Sequence, residues 1–449
     1  MNTFAKSFFK LICCFWLFFV LLLLLMTAST AVPDAMIQNN MEESADTLCG
    51  NPRIYYMVPG VEGSQNHLYA DAITLNIAYH LKDGSPLESI VWAKYYSSAS
   101  DVNKSLRETV QGHLPANKEY MRYWHGSAGL VRFLHIIFNI RQIYFFHAIL
   151  LLVLLIWLVL KLIQYGLAAE AVCLVFSLLM VSTWFVPFCL EYTWTFLCML
   201  YASVIGLVLV GKGRERYLSI LFLGAGMVTA FLDFLSTETI TLLVPLLLVL
   251  RALLGRKNSS EYAKALNAWK LSLQSGILWL VGFAGMWASK WLLASVVLKQ
   301  NVMVFVSSHI DERIGGGNNG LSKWEYMVGA VVRNLKCLLP FDYGILGAGI
   351  LLASIILLVF IPVCLNFLRI RNPIDWKRMI LYLVISLIPI IRYMVLHNHS
   401  WYHRSFTYRA LAGTILAVCF AALELVKYSS EAVDTKTGII SMCNQNRES

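Results

Sequence analysis

The sequence predicts an all-α integral membrane protein of about ten transmembrane helices, with a long first extracytoplasmic loop that carries interfacial helices. Three observations predict it. Of the 449 residues, 58% are hydrophobic and only 14% charged, whereas a soluble domain is nearer a quarter charged. Apolar runs of about 20 residues recur along the chain, the length that crosses a hydrocarbon core about 30 Å thick. Lys and Arg concentrate in short loops that alternate crossing would put on one side, the cytoplasmic one. The net charge of +10 would suggest nucleic acid in a soluble chain. Here membrane orientation accounts for it, and nucleic acid is excluded as a partner.

The first helix occupies residues 1–32, a retained span or uncleaved signal anchor. Lys6 and Lys10 precede the apolar run Leu11 to Met26 and stay inside. The small residues Thr27 to Ala31 leave a cleaved signal as the alternative. Residues 33–142 then form a mostly polar outer loop. Within it Tyr69 to Leu81 reads as a helix, Asp83-Gly84-Ser85-Pro86 as a turn, and Leu87 to Val110 as an amphipathic helix. Ser127 to Ile143 has Leu130, Phe133, Leu134, Ile137 and Phe138 at helical spacing, which predicts a helix lying in the interface.

A nine-helix region follows over residues 143–428. Hydropathy sets its spans at about 143–163, 168–188, 193–210, 217–235, 238–254, 275–297, 345–368, 378–396 and 410–428. A second outer loop at about 298–344 contains His309 to Arg313 and the glycine-rich run 315–320. That run is no phosphate loop, since no Gly-Lys-Ser/Thr follows it. Residues 429–449 read as a disordered cytoplasmic tail, so both termini are expected in the cytoplasm of a multi-pass cell-membrane protein. Most of the ten cysteines lie in apolar runs, where Cys behaves as a small hydrophobe. Cys49 and Cys337 fall in outer segments and are candidates to pair. No Cys-x-x-Cys or Cys/His metal spacing occurs.

Four polar clusters belong to the outer face. The first is Tyr69-Ala70-Asp71-Ala72 with Asn76 and His80. Asp71 is a candidate general base or sugar-hydroxyl partner, or else a helix cap. The second is Arg122-Tyr123-Trp124-His125, combining a phosphate fork with a flat apolar ring; interfacial anchoring is its plainer role. The third is Asp233 to Thr241, in which Asp233 and Thr237 are four apart and either face substrate or cap a tight loop. The fourth is Arg392 to Arg409, which packs Asn398, His399, His403, Arg404 and five aromatic residues between two spans. Ionisable groups are costly near hydrocarbon, so this stretch is a functional candidate by default. Phosphate binding by Arg392, Arg404 and Arg409 suits guanidinium geometry, with snorkelling as the alternative. His399 and His403 have helical metal spacing, but no Glu accompanies them in the His-Glu-x-x-His manner, so no metal is assigned. Glu170 and Lys290 read as snorkelling or paired, and Glu191 as solvated.

A first span, a long outer loop with an acidic residue and interfacial helices, then some nine further spans: this layout resembles the GT-C class of membrane glycosyltransferases. The resemblance implies transfer of a sugar from a polyprenyl-phosphate donor to an envelope or lipid acceptor at the extracytoplasmic face, with membrane lipids and the lipid-linked sugar as partners. It implies a catalytic base at Asp71, with Asp83 and Asp101 as other candidates, and lipid-phosphate binding by Arg392, Arg404 and Arg409; the clusters themselves offer Arg122, Trp124, His125, Asp233, Thr237, Asn398, His399 and His403 as substrate contacts. Trp124 or Trp401 would stack a sugar, and no metal cofactor is required if arginines neutralise the phosphate. Asp71 lacks the acidic neighbour many members carry. Two alternatives remain open: a transporter or flippase of a lipid-linked or anionic substrate, and a non-catalytic component of an envelope assembly complex.

Overall fold

The computed structural model describes residues 3–98, 101–233, 235–255, 261–303, 307, 320–357, 368–370 and 374–428. The regular structure among the described residues is helical apart from two short two-stranded ribbons and one isolated bridge. Among the described residues, seven helices are long and apolar enough to cross a membrane: Phe8–Thr30, Ile140–Gln164, Leu190–Gly211, Glu215–Leu232, Asn267–Leu298, Trp376–Val395 and Arg404–Leu423. Three shorter apolar helices, Ala168–Met180, Ile240–Leu254 and Gly344–Ile355, accompany them. The stretch from His309 to Arg313, the glycine-rich run up to residue 319, the expected tail and residues 358–367 of the 345–368 span lie outside the described residues.

Ionisable groups segregate to the two ends of the apolar bundle. At one end Arg251 joins three helices: its Nε donates to Glu170 Oε1 at 2.8 Å and its Nη1 to Glu424. Glu170 is therefore paired, as the sequence suggests. At the other end sits the outer loop. Helices approach closely where Leu218–Leu232 crosses Glu261–Leu298. A Cβ at Gly226 would run into Trp279 O, and one at Gly282 into Leu223 O, so small residues set this approach.

The outer loop is a packed helical layer. Asp34–Cys49 turns Ile37, Met41, Ala45 and Leu48 inward, a spacing of 4, 4 and 3 that marks one helical face. Helix Leu68–His80 runs through its centre and is buried along most of its length. The expected single helix from Leu87 to Val110 is instead two. Pro86–Trp92 ends at Ala93, whose φ of 46° is left-handed. The chain then bridges Tyr95 to Lys118, and Val102–Gly112 restarts after Asp101, whose carboxylate accepts from Asn103 N. Asp101 and the serines before it favour a cap over a continuous helix. The expected interfacial helix Ser127 to Ile143 also divides. Gly126–Leu134 stops, and a capping box between Asn139 and Gln142 starts the span Ile140–Gln164.

Three buried groups weld this layer to itself and to the bundle. Arg132 is fully buried and donates to Ala78 O at 2.6 Å, Tyr79 O at 3.0 Å, Val32 O at 2.6 Å and Asp34 Oδ1 at 2.6 Å. It thus collects the open carbonyls at the end of Leu68–His80. Lys290 does the same for Pro86–Trp92, donating to Ile90 O at 2.7 Å and Val91 O at 3.0 Å. Trp124 answers with its Nε1 on Met286 O at 2.7 Å.

Candidate functional site

A cavity of about 730 Å³ opens between the outer layer and the ends of the spans, within the 300–1,000 Å³ range of ligand sites. Four stretches far apart in sequence build it. Helix Leu68–His80 contributes Tyr69, Ala70, Ile73 and Thr74; the connection between Val102–Gly112 and Gly126–Leu134 contributes Glu119, Tyr120, Arg122, Tyr123 and His125. The start of Leu190–Gly211 adds Glu191, and the turn-rich stretch before the last span adds Asn398, His399, Tyr402, His403 and Phe406. Rings make up much of the wall, with two carboxylates, one guanidinium and three imidazoles among them.

The turn-rich stretch folds as short helices, Ile388–Val395, His397–Tyr402 and Arg404–Thr407, broken at Leu396 and His403. Outside partners pin it. Asn334 Nδ2 donates to Ser400 O at 2.9 Å, Thr407 Oγ1 to Asn334 Oδ1 at 2.6 Å, and Tyr326 Oη to Asn398 Oδ1 at 2.8 Å. Trp401 stacks on Tyr326 with centroids 4.5 Å apart, so it is packing rather than cavity wall. The His399 and His403 rings lie 4.7 Å apart beside the cavity.

Arg122 lies over the Tyr120 ring at 4.7 Å and the Tyr123 ring at 5.5 Å, which holds a planar cation against the wall. His125 Nε2 donates to Tyr120 O at 2.8 Å. Burial, then the charges of Lys290 and Arg122, push His125 down to about 3, so it is a neutral imidazole at physiological pH.

Glu191 is the carboxylate set deepest. Its side chain is 12% exposed, and Oε2 lies 3.4 Å from His67 Nδ1. His67 is buried; its Nε2 lies 3.1 Å from Ser405 Oγ and 3.3 Å from Gln65 Oε1, and its ring stacks on Tyr69 at 5.5 Å. Acid, imidazole and hydroxyl stand in the order of a hydrolytic triad. Ser405, however, is buried and does not line the cavity; Glu191 is the member that does. The chemistry this arrangement offers is proton acceptance by a half-buried carboxylate with an imidazole 3.4 Å behind it, the two atoms making no hydrogen bond.

Of the sequence candidates, the structure brings Arg122, His125, Asn398, His399 and His403 to the cavity and leaves the others elsewhere. Asp71 is fully buried. Its Oδ1 accepts from Leu190 N at 2.9 Å, and Tyr144 Oη donates to its Oδ2. It caps the helix Leu190–Gly211 from outside and ties two spans to the outer layer. Burial pushes its carboxyl up to about 7, against the hydrogen bonds from Tyr144 and Leu190 that pull it down. Trp124 is consumed by Met286. Asp233 accepts from Thr195 Oγ1 at 3.0 Å and from Ser236 N at 3.1 Å, which is the tight-loop capping role; burial and then Glu238 raise its carboxyl. Thr237 is buried in the same loop.

The three candidate phosphate arginines are engaged with protein groups. Arg392 donates through Nε to Glu238 Oε1 at 2.7 Å and through Nη2 to Leu235 O at 2.6 Å. Arg409 donates to Gly63 O at 2.7 Å and Ser405 O at 3.0 Å and stacks over Tyr192 at 4.5 Å. Arg404 pairs with Glu62 at 2.9 Å. Buried guanidinium groups need such partners because desolvation is costly. Asn76 brackets the backbone of Tyr96 at 2.9 and 3.0 Å, and His80 Nδ1 pairs with Asp83 at 2.6 Å. Cys49 and Cys337 are free thiols. Among the described residues, no three His, Cys, Asp or Glu side chains are grouped to hold a metal ion.

Glu191, Glu119, His67, Tyr120 and Tyr402 were not legible as site residues. The one signal was positional: Glu191 opens an apolar helix, where a carboxylate stabilises the N-terminus and ends at the level of the bundle edge. Comparison with protein-family models, curated proteins and solved structures gives no match. The fold and site together define a polytopic helical membrane protein with a polar, ring-lined cavity at one end of its bundle.

Proposed function

We propose that this protein is a membrane glycosyltransferase of the GT-C architectural class, moving a sugar from a polyprenyl-phosphate donor to an envelope or lipid acceptor at the extracytoplasmic face. The observation that carries the reading is the cavity in which Glu191, Arg122, three histidines and a wall of aromatic rings converge beside the ends of apolar helices. Aromatic faces with a few placed polar groups suit a sugar ring. The level of the cavity lets a lipid tail stay in the bilayer while its headgroup enters.

The mechanism follows from the geometry. Glu191, with His67 behind it, takes the proton of an acceptor hydroxyl. The acceptor oxygen forms its bond to the anomeric carbon as the bond from that carbon to the phosphate oxygen breaks. The electron pair leaves with the phosphate, whose charge Arg122 neutralises. His399, His403 and Asn398 orient the donor, and no metal is needed for the charge balance. The catalytic base is thereby Glu191 rather than Asp71. Extracytoplasmic placement of the cavity is supported by Lys6, Lys10, Lys212, Arg214 and Arg216, which belong to the opposite end. If the three shorter apolar helices also cross, the spans number ten and both termini lie in the cytoplasm under this reading.

The test is release of polyprenyl phosphate from a panel of synthetic polyprenyl-phosphate hexoses by the purified protein in nanodiscs supplied with an envelope-lipid extract as acceptor. Wild type should release it, and Glu191→Gln should lower turnover about 10²- to 10⁴-fold. Accumulation of intact donor across proteoliposomes without release would replace transfer by transport.

A further inference from the structure

A second cavity, of about 680 Å³, lies against the membrane-facing side of the bundle and is separate from the polar one. Four helices form it: Phe18 from the first, Leu150 from Ile140–Gln164, and longer faces of Leu190–Gly211 and Leu218–Leu232. Along Leu190–Gly211 its wall runs from Trp194 to Leu209, about 22 Å of helix at 1.5 Å per residue. One leaflet of hydrocarbon is roughly half of 30 Å, so a chain extended in this groove passes the bilayer midplane. Tyr201 and Ile205 on the wall are 44% and 46% exposed, which opens the groove sideways to lipid.

The lining is apolar except at one end, where Arg214 and Tyr217 close it. Two further cations gather there: Lys10 Nζ stands 4.7 Å from the Tyr217 ring centroid and the Arg216 guanidinium 4.9 Å from it. This is the end of the bundle opposite the polar cavity. An apolar trough with three cations at its mouth complements a molecule with a long chain and an anionic head.

We propose that this groove binds an anionic phospholipid from the leaflet opposite the polar cavity, its phosphate on Arg214 with Lys10 and Arg216 beside it, and one acyl chain laid along the Leu209-to-Trp194 wall. The bilayer itself supplies the occupant, because the trough opens laterally and its cations stand at headgroup level. The site is independent of the proposed sugar chemistry.

The test is native mass spectrometry of the full-length protein, delipidated in detergent and titrated with dioleoyl-phosphatidylglycerol or dioleoyl-phosphatidylcholine. Wild type should retain phosphatidylglycerol at least about tenfold more tightly. The triple variant Lys10→Gln, Arg214→Gln, Arg216→Gln alters exposed side chains only; it should lose the preference and keep its melting temperature. Ile205→Trp, on the membrane-facing wall, should weaken both lipids by obstructing the trough. Equal retention of the two lipids by wild type, a preference that survives the triple variant, or tighter retention of farnesyl phosphate than of phosphatidylglycerol would each overturn the proposal.

Discussion

Replacing Asp71 by Asn separates a cap from a base. The carboxyl is fully buried and rises from 3.8 to about 7 in the folded chain, chiefly through burial. Between those two values the folded state holds a proton that the unfolded state has lost. Stability therefore falls as pH rises across that window, and the loss is complete above about 7. The shift of about three units corresponds to about 4 kcal/mol at 1.36 kcal/mol per unit. For a chain of 449 residues, the unfolding entropy makes that roughly 4 °C in Tm. Asn cannot ionise, and it can still accept from Leu190 N. The assay is thermal melting of wild type and Asp71→Asn in detergent from pH 4.5 to 8.5. At pH 5 the variant should melt at or below wild type, because Tyr144 loses its carboxyl partner. By pH 8 the difference should move about 3 °C in the variant's favour, since about a third of the loss already lies below pH 5. Asp233, also raised, is common to both proteins and cancels. A difference that stays constant over the whole range would show that Asp71 is already ionised at pH 5, and the burial reasoning would fail.

Other perturbations have equally definite outcomes. Arg132→Met should cost about 3–5 kcal/mol, since it strands a partly buried Asp34 and three backbone carbonyls; loss of folded yield in size-exclusion chromatography checks it. Lys290→Met leaves Ile90 O and Val91 O without their donor, at about 1–3 kcal/mol each, and should loosen Pro86–Trp92, read as faster hydrogen exchange there. Gly226→Leu should separate the two helices it joins and lower Tm by several degrees, while Gly276→Leu, facing open space, should not. His67→Ala should reduce turnover less than Glu191→Gln does and shift the pH profile of transfer, because His67 stands 3.4 Å behind the carboxylate and does not line the cavity.

The fold class was readable because hydrocarbon demands long apolar runs, and seven such helices stand where hydropathy puts them. The helical character of Leu68–His80 was readable for the same reason that it is buried. Breaks inside the outer layer were not. Ala93 leaves the helix because Lys290, 197 positions later in the chain, gathers the carbonyls at its end, and no local pattern records so distant a partner. The site shows the same division. Local chemistry singled out Arg122, His125, Asn398, His399 and His403, and the structure brings these to one cavity. It could not tell them from Asp71, Asp233, Arg392 and Arg409, whose partners at Leu190, Thr195, Glu238 and Gly63 come from other segments. Asp34–Cys49 is a milder case: its buried face at Ile37, Met41, Ala45 and Leu48 was present as periodicity among polar residues.

The most direct measurement is photo-crosslinking of a polyprenyl-phosphate hexose carrying a diazirine on the sugar, followed by peptide mapping. Labels are expected together on the peptides containing Tyr69–Thr74, Glu119–His125 and Asn398–Phe406, competed away by unlabelled donor. Labels confined to the lipid-facing helices, or to the end of the bundle that carries Arg251, would contradict a sugar site in this cavity.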